Sequence, residues 1–220
     1  MHKDFWLERW EREEIGFHEG VANTYLTRFW SEIHVARDSK VFVPLCGKSV
    51  DMQWLRQQGH SVIGVELSEI AVQAFYRENG YTPKLSGRID FRQYDANDIR
   101  IFCGDFFALK RDDLAGVKAV YDRASMIALP LEMRQRYVQH LVSILPPATQ
   151  ILLITFDYPQ AEMPGPPFAL SLSEVEMLYS KYADIRMLAK IDALPKNPRF
   201  QQRGLTRLQE SIYLLTIKDE

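Results

Sequence analysis

Apolar residues along the chain fall into short runs that alternate with segments of helical spacing. Val41, Phe42 and Val43 end in the turn Pro44-Leu45-Cys46-Gly47. A helix-compatible segment continues to Gly59, and a second run at 62–65 ends in Glu66. Ser68 caps a helix with apolar positions Ile70, Val72, Ala74 and Phe75 and an Asn79-Gly80 stop. Residues 88–109 read as two strands about an Asn97-Asp98 turn, an inserted hairpin leading into the third core strand. The fourth strand is 117–121, ending in Asp122-Arg123; Pro130 opens a helix through Leu145, and Pro146-Pro147 stops it. The run 151–156 is the most apolar, as expected of a strand buried on both faces. Ser173-x-x-Glu176 predicts a capped helix, and strands near 185–191 and 211–217 have no crossover helix between them, which predicts an antiparallel pair at the sheet edge.

Ahead of the first strand, Asp4 is a candidate N-cap for a helix carrying Trp6 and Trp10 on one face and ending at Gly16. A second amphipathic helix is expected over 21–33. The tryptophans either pack this helix on the domain or, with Phe17, form a lid over a ligand. A proline-rich stretch, 158–168, leaves the carboxyl end of the 151–156 strand. At 220 residues one α/β domain is the economical reading, and it needs no disulfide or metal for stability.

Charge and composition narrow the function. A net charge of −2 gives no general attraction to nucleic acid or an anionic membrane, and no apolar window is long enough to span a bilayer. Cys46 and Cys103 form no CxxC and follow no secretory signal, which predicts reduced thiols in the cytoplasm. The five histidines lack zinc-ligand spacing, so no metal is expected.

Strand, turn, helix, strand, acid is the front half of a nucleotide-binding domain. A P-loop ending at Gly47-Lys48-Ser49 needs glycine at position 42, where Phe42 stands; a GxGxxG centred on Gly47 needs glycines where Leu45 and Val50 stand. Both fail because the backbone cannot approach a pyrophosphate. S-adenosylmethionine, without phosphate, asks for one flexible glycine, an acid for the ribose hydroxyls and a polar residue facing adenine. Gly47, Glu66 and Asp105 stand in those places in order.

The sequence resembles the thiopurine S-methyltransferase family. Trp6 and Trp10 with Gly-Phe-His at 16–18, the 41–55 stretch PLCGKSVDM and its flanks, GHSVIGVELSE at 59–69, DRAS at 122–125, PGPPF at 164–168 and the closing IYLLTIK carry the match, end to end. The resemblance implies a single Rossmann-like S-adenosylmethionine-dependent methyltransferase domain, with a mostly parallel, seven-stranded-type sheet, an antiparallel last strand, a small β insertion and an N-terminal helical lid over 4–35. It implies that Trp10, Leu45, Glu66 and Arg123 contact S-adenosylmethionine, that Trp6 belongs to the same cover, and that Asp105 and Phe106 form the adenine-side pair. Phe17 would face the substrate, and Arg123 and Arg203 would orient it. Methyl transfer from a sulfonium consumes charge, so alignment rather than stabilisation of new charge is the enzyme's main task. The expected enzyme is a cytoplasmic monomer that methylates small aromatic or heterocyclic thiols such as thiopurines and releases S-adenosylhomocysteine. Selenium or tellurium species are the nearest alternative acceptors; an RNA or protein methyltransferase and a non-catalytic cofactor-binding module are the readings of other classes.

Overall fold

Five runs of apolar residues form the parallel centre of one sheet. In a computed structural model describing residues 3–16 and 18–219, the chain runs α1 (Lys3–Glu11), α2 (Thr24–Phe29), β1 (Lys40–Val43), α3 (Asp51–Gln57), β2 (Ser61–Glu66) and α4 (Glu69–Glu78). It continues through β3 (Lys84–Arg88), β4 (Phe91–Ala96), β5 (Ile99–Gly104), β6 (Val117–Arg123), α5 (Leu131–Ile144) and β7 (Gln150–Asp157). The last elements are α6 (Leu172–Tyr179), β8 (Ala183–Asp192), α7 (Pro198–Gln202) and β9 (Gln209–Ile217). The strands form one sheet in the order β3-β4-β5-β2-β1-β6-β7-β9-β8. β5, β2, β1, β6 and β7 are parallel, and β9 pairs antiparallel with both β7 and β8. This is the expected α/β domain, with a mostly parallel sheet and an antiparallel edge.

Alternation along the strands divides the core in two. Phe42, Ile63, Val65, Phe102, Val120 and Leu153 point to the face covered by α5 and α6, where Tyr137, Leu141 and Tyr179 meet them. Val41, Val43, Val62, Ile101, Tyr121 and Ile154 point to the other, under Leu26 of α2, Met52 and Leu55 of α3 and Phe75 of α4. Because every crossover returns the chain to the same edge, the carboxyl ends of β1, β2, β5 and β6 lie together, and the chain switches direction across β1.

Several boundaries differ from the sequence expectation. The inserted hairpin begins earlier, at Lys84, because β3 is an edge strand exposed at all five residues and carries no apolar alternation to reveal it. Asn97 and Asp98 are the two-residue turn between β4 and β5, both at positive φ (51° and 59°), so β5 is itself the third core strand. The helix expected over 21–33 starts at Thr24, where the Asn23 side chain accepts from the amides of Tyr25 and Leu26, and tightens into a 3₁₀ turn over Trp30–Glu32. The first helix ends at Glu11 rather than Gly16, with Glu13 at a φ of 55°. Ser171, not Ser173, caps α6. Glu174, three residues on, pairs with buried Arg134 at 2.5 Å instead of closing a box. The short helix α7 stands in the connection between the last two strands.

Gly64, in the middle of β2, is where the turn after β1 comes closest to the sheet. A Cβ built there would lie 2.7 Å from Cys46 Sγ, 3.3 Å from Met52 Sδ and 3.4 Å from Ile101 Cγ1. Gly64→Ala is expected to cost about 1–3 kcal/mol of unfolding free energy through overpacking. Most of that cost should vanish in a Cys46→Ala background; equal costs in both backgrounds, by urea unfolding, would show that the two residues are not coupled.

Candidate active site

The site begins in the turn after β1. Leu45 (φ 45°) and Gly47 (φ 52°) both take left-handed backbone conformations, and the Cys46 amide donates to the Val65 carbonyl at 3.0 Å. That bond folds the turn over the end of β2 and brings the Gly47 amide to Glu66. One carboxylate oxygen of Glu66 accepts the Gly47 amide at 2.9 Å, and the other accepts the Ser68 amide at 2.7 Å. Glu66 is only 7% exposed. Burial pushes its pKa up, and the amides of Ser68, Gly47 and Leu67 pull it back.

Trp10 lies directly over this turn. A Cβ on Gly47 would stand 3.1 Å from Trp10 Cζ2, and the indole is 6% exposed, the single buried residue of α1. Gly47 is therefore required twice, by its φ and by the ring above it. Trp6 is half-buried, its ring edge-on to Phe5 at 5.2 Å. The side chain of Leu45 packs against the α5–α6 core.

Asp105 follows β5, accepts the Phe107 amide at 3.0 Å and pairs with Lys3 of α1 at 2.6 Å. Phe106 is the other residue expected on the adenine side. Its ring is buried and stacks on Tyr137 with centroids 4.8 Å apart, so it belongs to the core. Arg203 is exposed at the end of α7. One turn earlier, Arg199 reaches the N-terminal segment, its guanidinium donating to the Gly16 carbonyl. Phe17 lies outside the described residues.

Arg123 ends β6 within a polar network that the sequence patterns did not single out. Its Nη2 pairs with Glu19, and its Nη1 lies 3.8 Å from Asp51 Oδ2. Asp51 is buried, with Oδ1 accepting the Asn23 amide at 2.7 Å and Oδ2 the Tyr121 hydroxyl at 2.9 Å. Burial works against the Arg123 charge, and Tyr121, Glu19, Asp51 and Glu210 more than restore it. Asp51 sits in the PLCGKSVDM stretch, four residues after Gly47, so its place in the motif was the available signal. Glu19 carried none. Asp122 points to the opposite face, as strand alternation demands, and accepts the Tyr137 hydroxyl at 2.6 Å.

A family model described as thiopurine S-methyltransferase matches residues 1–218. The chain belongs to the thiopurine S-methyltransferase family. The thiopurine S-methyltransferase of Nitrosospira multiformis is 64% identical over 215 residues, which cover 98% of each chain. That of Azotobacter vinelandii is 48% identical over 215 residues, 98% of this chain and 99% of the relative. Among solved structures, a SAM-dependent methyltransferase from Anabaena variabilis superimposes with a TM-score of 0.68 at 14% identity, covering 98% of this chain and 94% of its own. A Burkholderia thailandensis 1,6-didemethyltoxoflavin-N1-methyltransferase, solved with S-adenosylhomocysteine, gives 0.62 at 12% identity over 98% and 87%. These two share the fold. As a thiopurine S-methyltransferase family member the chain is a methyltransferase enzyme that uses S-adenosylmethionine.

Asp122 allows a test of the buried electrostatics behind the site. Burial pushes its carboxyl up from 3.8 to about 6, against the Tyr137 hydrogen bond. The folded-state value lies above the unfolded one, so its stabilising contribution is complete below the ordinary carboxylate range and is lost as pH rises through about 6. Asp122→Asn should therefore gain on the native protein by of the order of 2–3 kcal/mol between about pH 4 and about pH 7. Urea unfolding at the two pH values checks this, and parallel stability curves would contradict it.

Proposed function

We propose that this enzyme moves a methyl group from S-adenosylmethionine to the sulfur of small aromatic or heterocyclic thiols, thiopurines among them. The observation that carries the reading is the buried Glu66 carboxylate under Trp10, with one backbone amide on each oxygen. An ionised carboxylate has about four lone-pair positions, so two remain for a ribose hydroxyl pair. The turn fits too: two left-handed residues let its backbone approach a ligand that has no phosphate. Bound, S-adenosylmethionine supplies a methyl group activated on a sulfonium.

The protein's own residues then bind, orient and cover. Glu66 holds the ribose, the Leu45–Gly47 turn supports the methionyl end, and Asp105 with the Phe106 backbone borders the adenine. Trp10 and Trp6, on a lid that spans 4–35 and includes Phe17, exclude water from above. Arg123, at the carboxyl end of β6, and Arg203 orient the acceptor. An aromatic thiol is substantially ionised near neutral pH, so orientation by a cation suffices and no buried base is needed. The PGPPF segment borders the same edge, since the Phe168 amide donates to the carbonyl of Ile127 in the loop after β6 at 2.6 Å.

We read the enzyme as a cytoplasmic monomer acting on a free small molecule. Support comes from the net charge of −2 and the two free thiols. Among the described residues, moreover, no helix is long and apolar enough to cross a membrane and no cluster of His, Cys, Asp or Glu is suited to a metal. The family match favours thiols over selenium or tellurium species.

Three measurements test the reading. Labelled-methyl transfer to thiopurines and thiophenols should proceed with the native enzyme. Glu66→Ala should weaken S-adenosylmethionine binding at least about tenfold, the scale of two lost hydrogen bonds; undiminished binding would remove the ribose assignment. S-adenosylhomocysteine should slow proteolytic cleavage within residues 3–16, and Asp105→Asn, which removes the partner of Lys3, should reduce that protection. Cleavage at the same rate with and without ligand would count against a lid.

A further inference from the structure

Arg123 is held by two carboxylates of unequal permanence. Asp51 is 2% exposed, and both of its oxygens are engaged, by the Asn23 amide at 2.7 Å and the Tyr121 hydroxyl at 2.9 Å. It cannot leave without stranding a buried charge. Glu19 is 44% exposed and sits in the connector between α1 and α2, outside regular structure. Its second oxygen receives the Asn23 side-chain amide at a long 3.3 Å. An ion pair with so exposed a partner is weak and screened by salt. The Arg123 side chain itself is 18% exposed, and of the two carboxylates against it Glu19 is the exposed one.

We propose that Glu19 is a specificity-determining residue: a tethered carboxylate that occupies the outer side of Arg123 and gives way to an anionic group of the ligand. The inference rests on the reading that Arg123 faces the ligand site. Asp51 keeps the guanidinium charged and aimed during the exchange, and Glu210 adds a third negative charge nearby. The site thus carries its own competitor for anions, and the charge of Glu19 sets how strongly anionic ligands are taken over neutral ones. Two anions have the right chemistry, the methionyl carboxylate of the cofactor and a carboxylate or thiolate on the acceptor.

Glu19→Gln separates these. The change is isosteric and keeps an oxygen for the Asn23 amide. Binding of S-adenosylhomocysteine, 4-mercaptobenzoate and the neutral thioether 4-(methylthio)benzamide is measured by calorimetry on the full-length enzyme and this variant. The expected result is a tightening of about two- to fivefold for one of the two anions relative to the neutral benzamide, the scale of one exposed ion pair, and its loss at high salt. Tightening of the homocysteine compound assigns the exchange to the cofactor, and tightening of the benzoate assigns it to the acceptor. No tightening of either anion, or equal tightening of the benzamide, overturns the proposal. Methyl transfer to 4-mercaptobenzoate by the native enzyme is read separately. Turnover without the binding shift refutes the role of Glu19 alone, whereas the shift without turnover refutes the thiol reading and leaves that role standing.

Discussion

A buried carboxylate that has no cation against it must be compensated by dipoles, and around Glu66 that requirement organises both turns at the head of the sheet. The amide of Gly47 reaches it because the chain turns through left-handed conformations at Leu45 and Gly47. The amide of Ser68 reaches it from the other side, while the Ser68 hydroxyl accepts the Ala71 amide and starts α4. One side chain therefore ties the entrance of α3 to the entrance of α4. The absence of a side chain at Gly64 is part of the same arrangement, because Cys46 Sγ fills the space a Cβ would take. Burial without that double compensation would cost several kcal/mol, so the acid and the two turns have to be chosen together.

The N-terminal segment is held by different physics. The sheet and its flanking helices are joined through two continuous apolar clusters, whereas α1 contributes one buried ring, Trp10. Phe5, Trp6 and Leu7 are half-buried, and polar contacts add to the attachment: Lys3 to Asp105, Arg9 to Glu14, the Gly16 carbonyl to Arg199 and Glu19 to Arg123. Surface ion pairs of this kind contribute about 0–1 kcal/mol each. An element with so little apolar anchorage opens at a lower free energy than the sheet beneath it. Its attachments fall on the loop after β5, the end of β6 and α7, so it joins these separate parts of the chain.

What the sequence made legible follows from how local each signal is. The short apolar runs of β1, β2, β6 and β7 and the Ser68 cap depend on neighbouring residues only, and they are legible. The glycine count around position 47 was equally local and sufficed to discard phosphate-binding turns. β3 was missed because KLSGR faces solvent on both sides and therefore carries no hydrophobic pattern. Ser173-x-x-Glu176 has the spacing of a capping box, but the helix starts two residues earlier at Ser171, whose hydroxyl accepts the Glu174 amide, while the Glu174 carboxylate pairs with Arg134 of another helix. The family resemblance sets Phe106 beside Asp105, and the stacking of its ring on Tyr137, a contact across the fold, leaves no local signal in the sequence.

The Asp122-Arg123 pair shows how far a sequence neighbour is from being a partner. Read as a string, an acid beside a base invites a salt bridge. In a strand, successive side chains leave on opposite faces, so the two charges are separated by the sheet itself. Asp122 goes down to Tyr137 and, with no cation there, is pushed toward neutrality. Arg123 goes up and meets Glu19, Asp51 and Glu210, which come from the connector before α2, the start of α3 and the start of β9. The charge balance at the carboxyl ends of the strands is consequently set by residues some 28 to 191 positions apart in pairs such as Asn23–Asp51 and Glu19–Glu210. A net charge of −2 for the whole chain says nothing about it. One guanidinium there is already surrounded by acids, and the fold holds those acids with unequal firmness, Asp51 buried and Glu19 exposed.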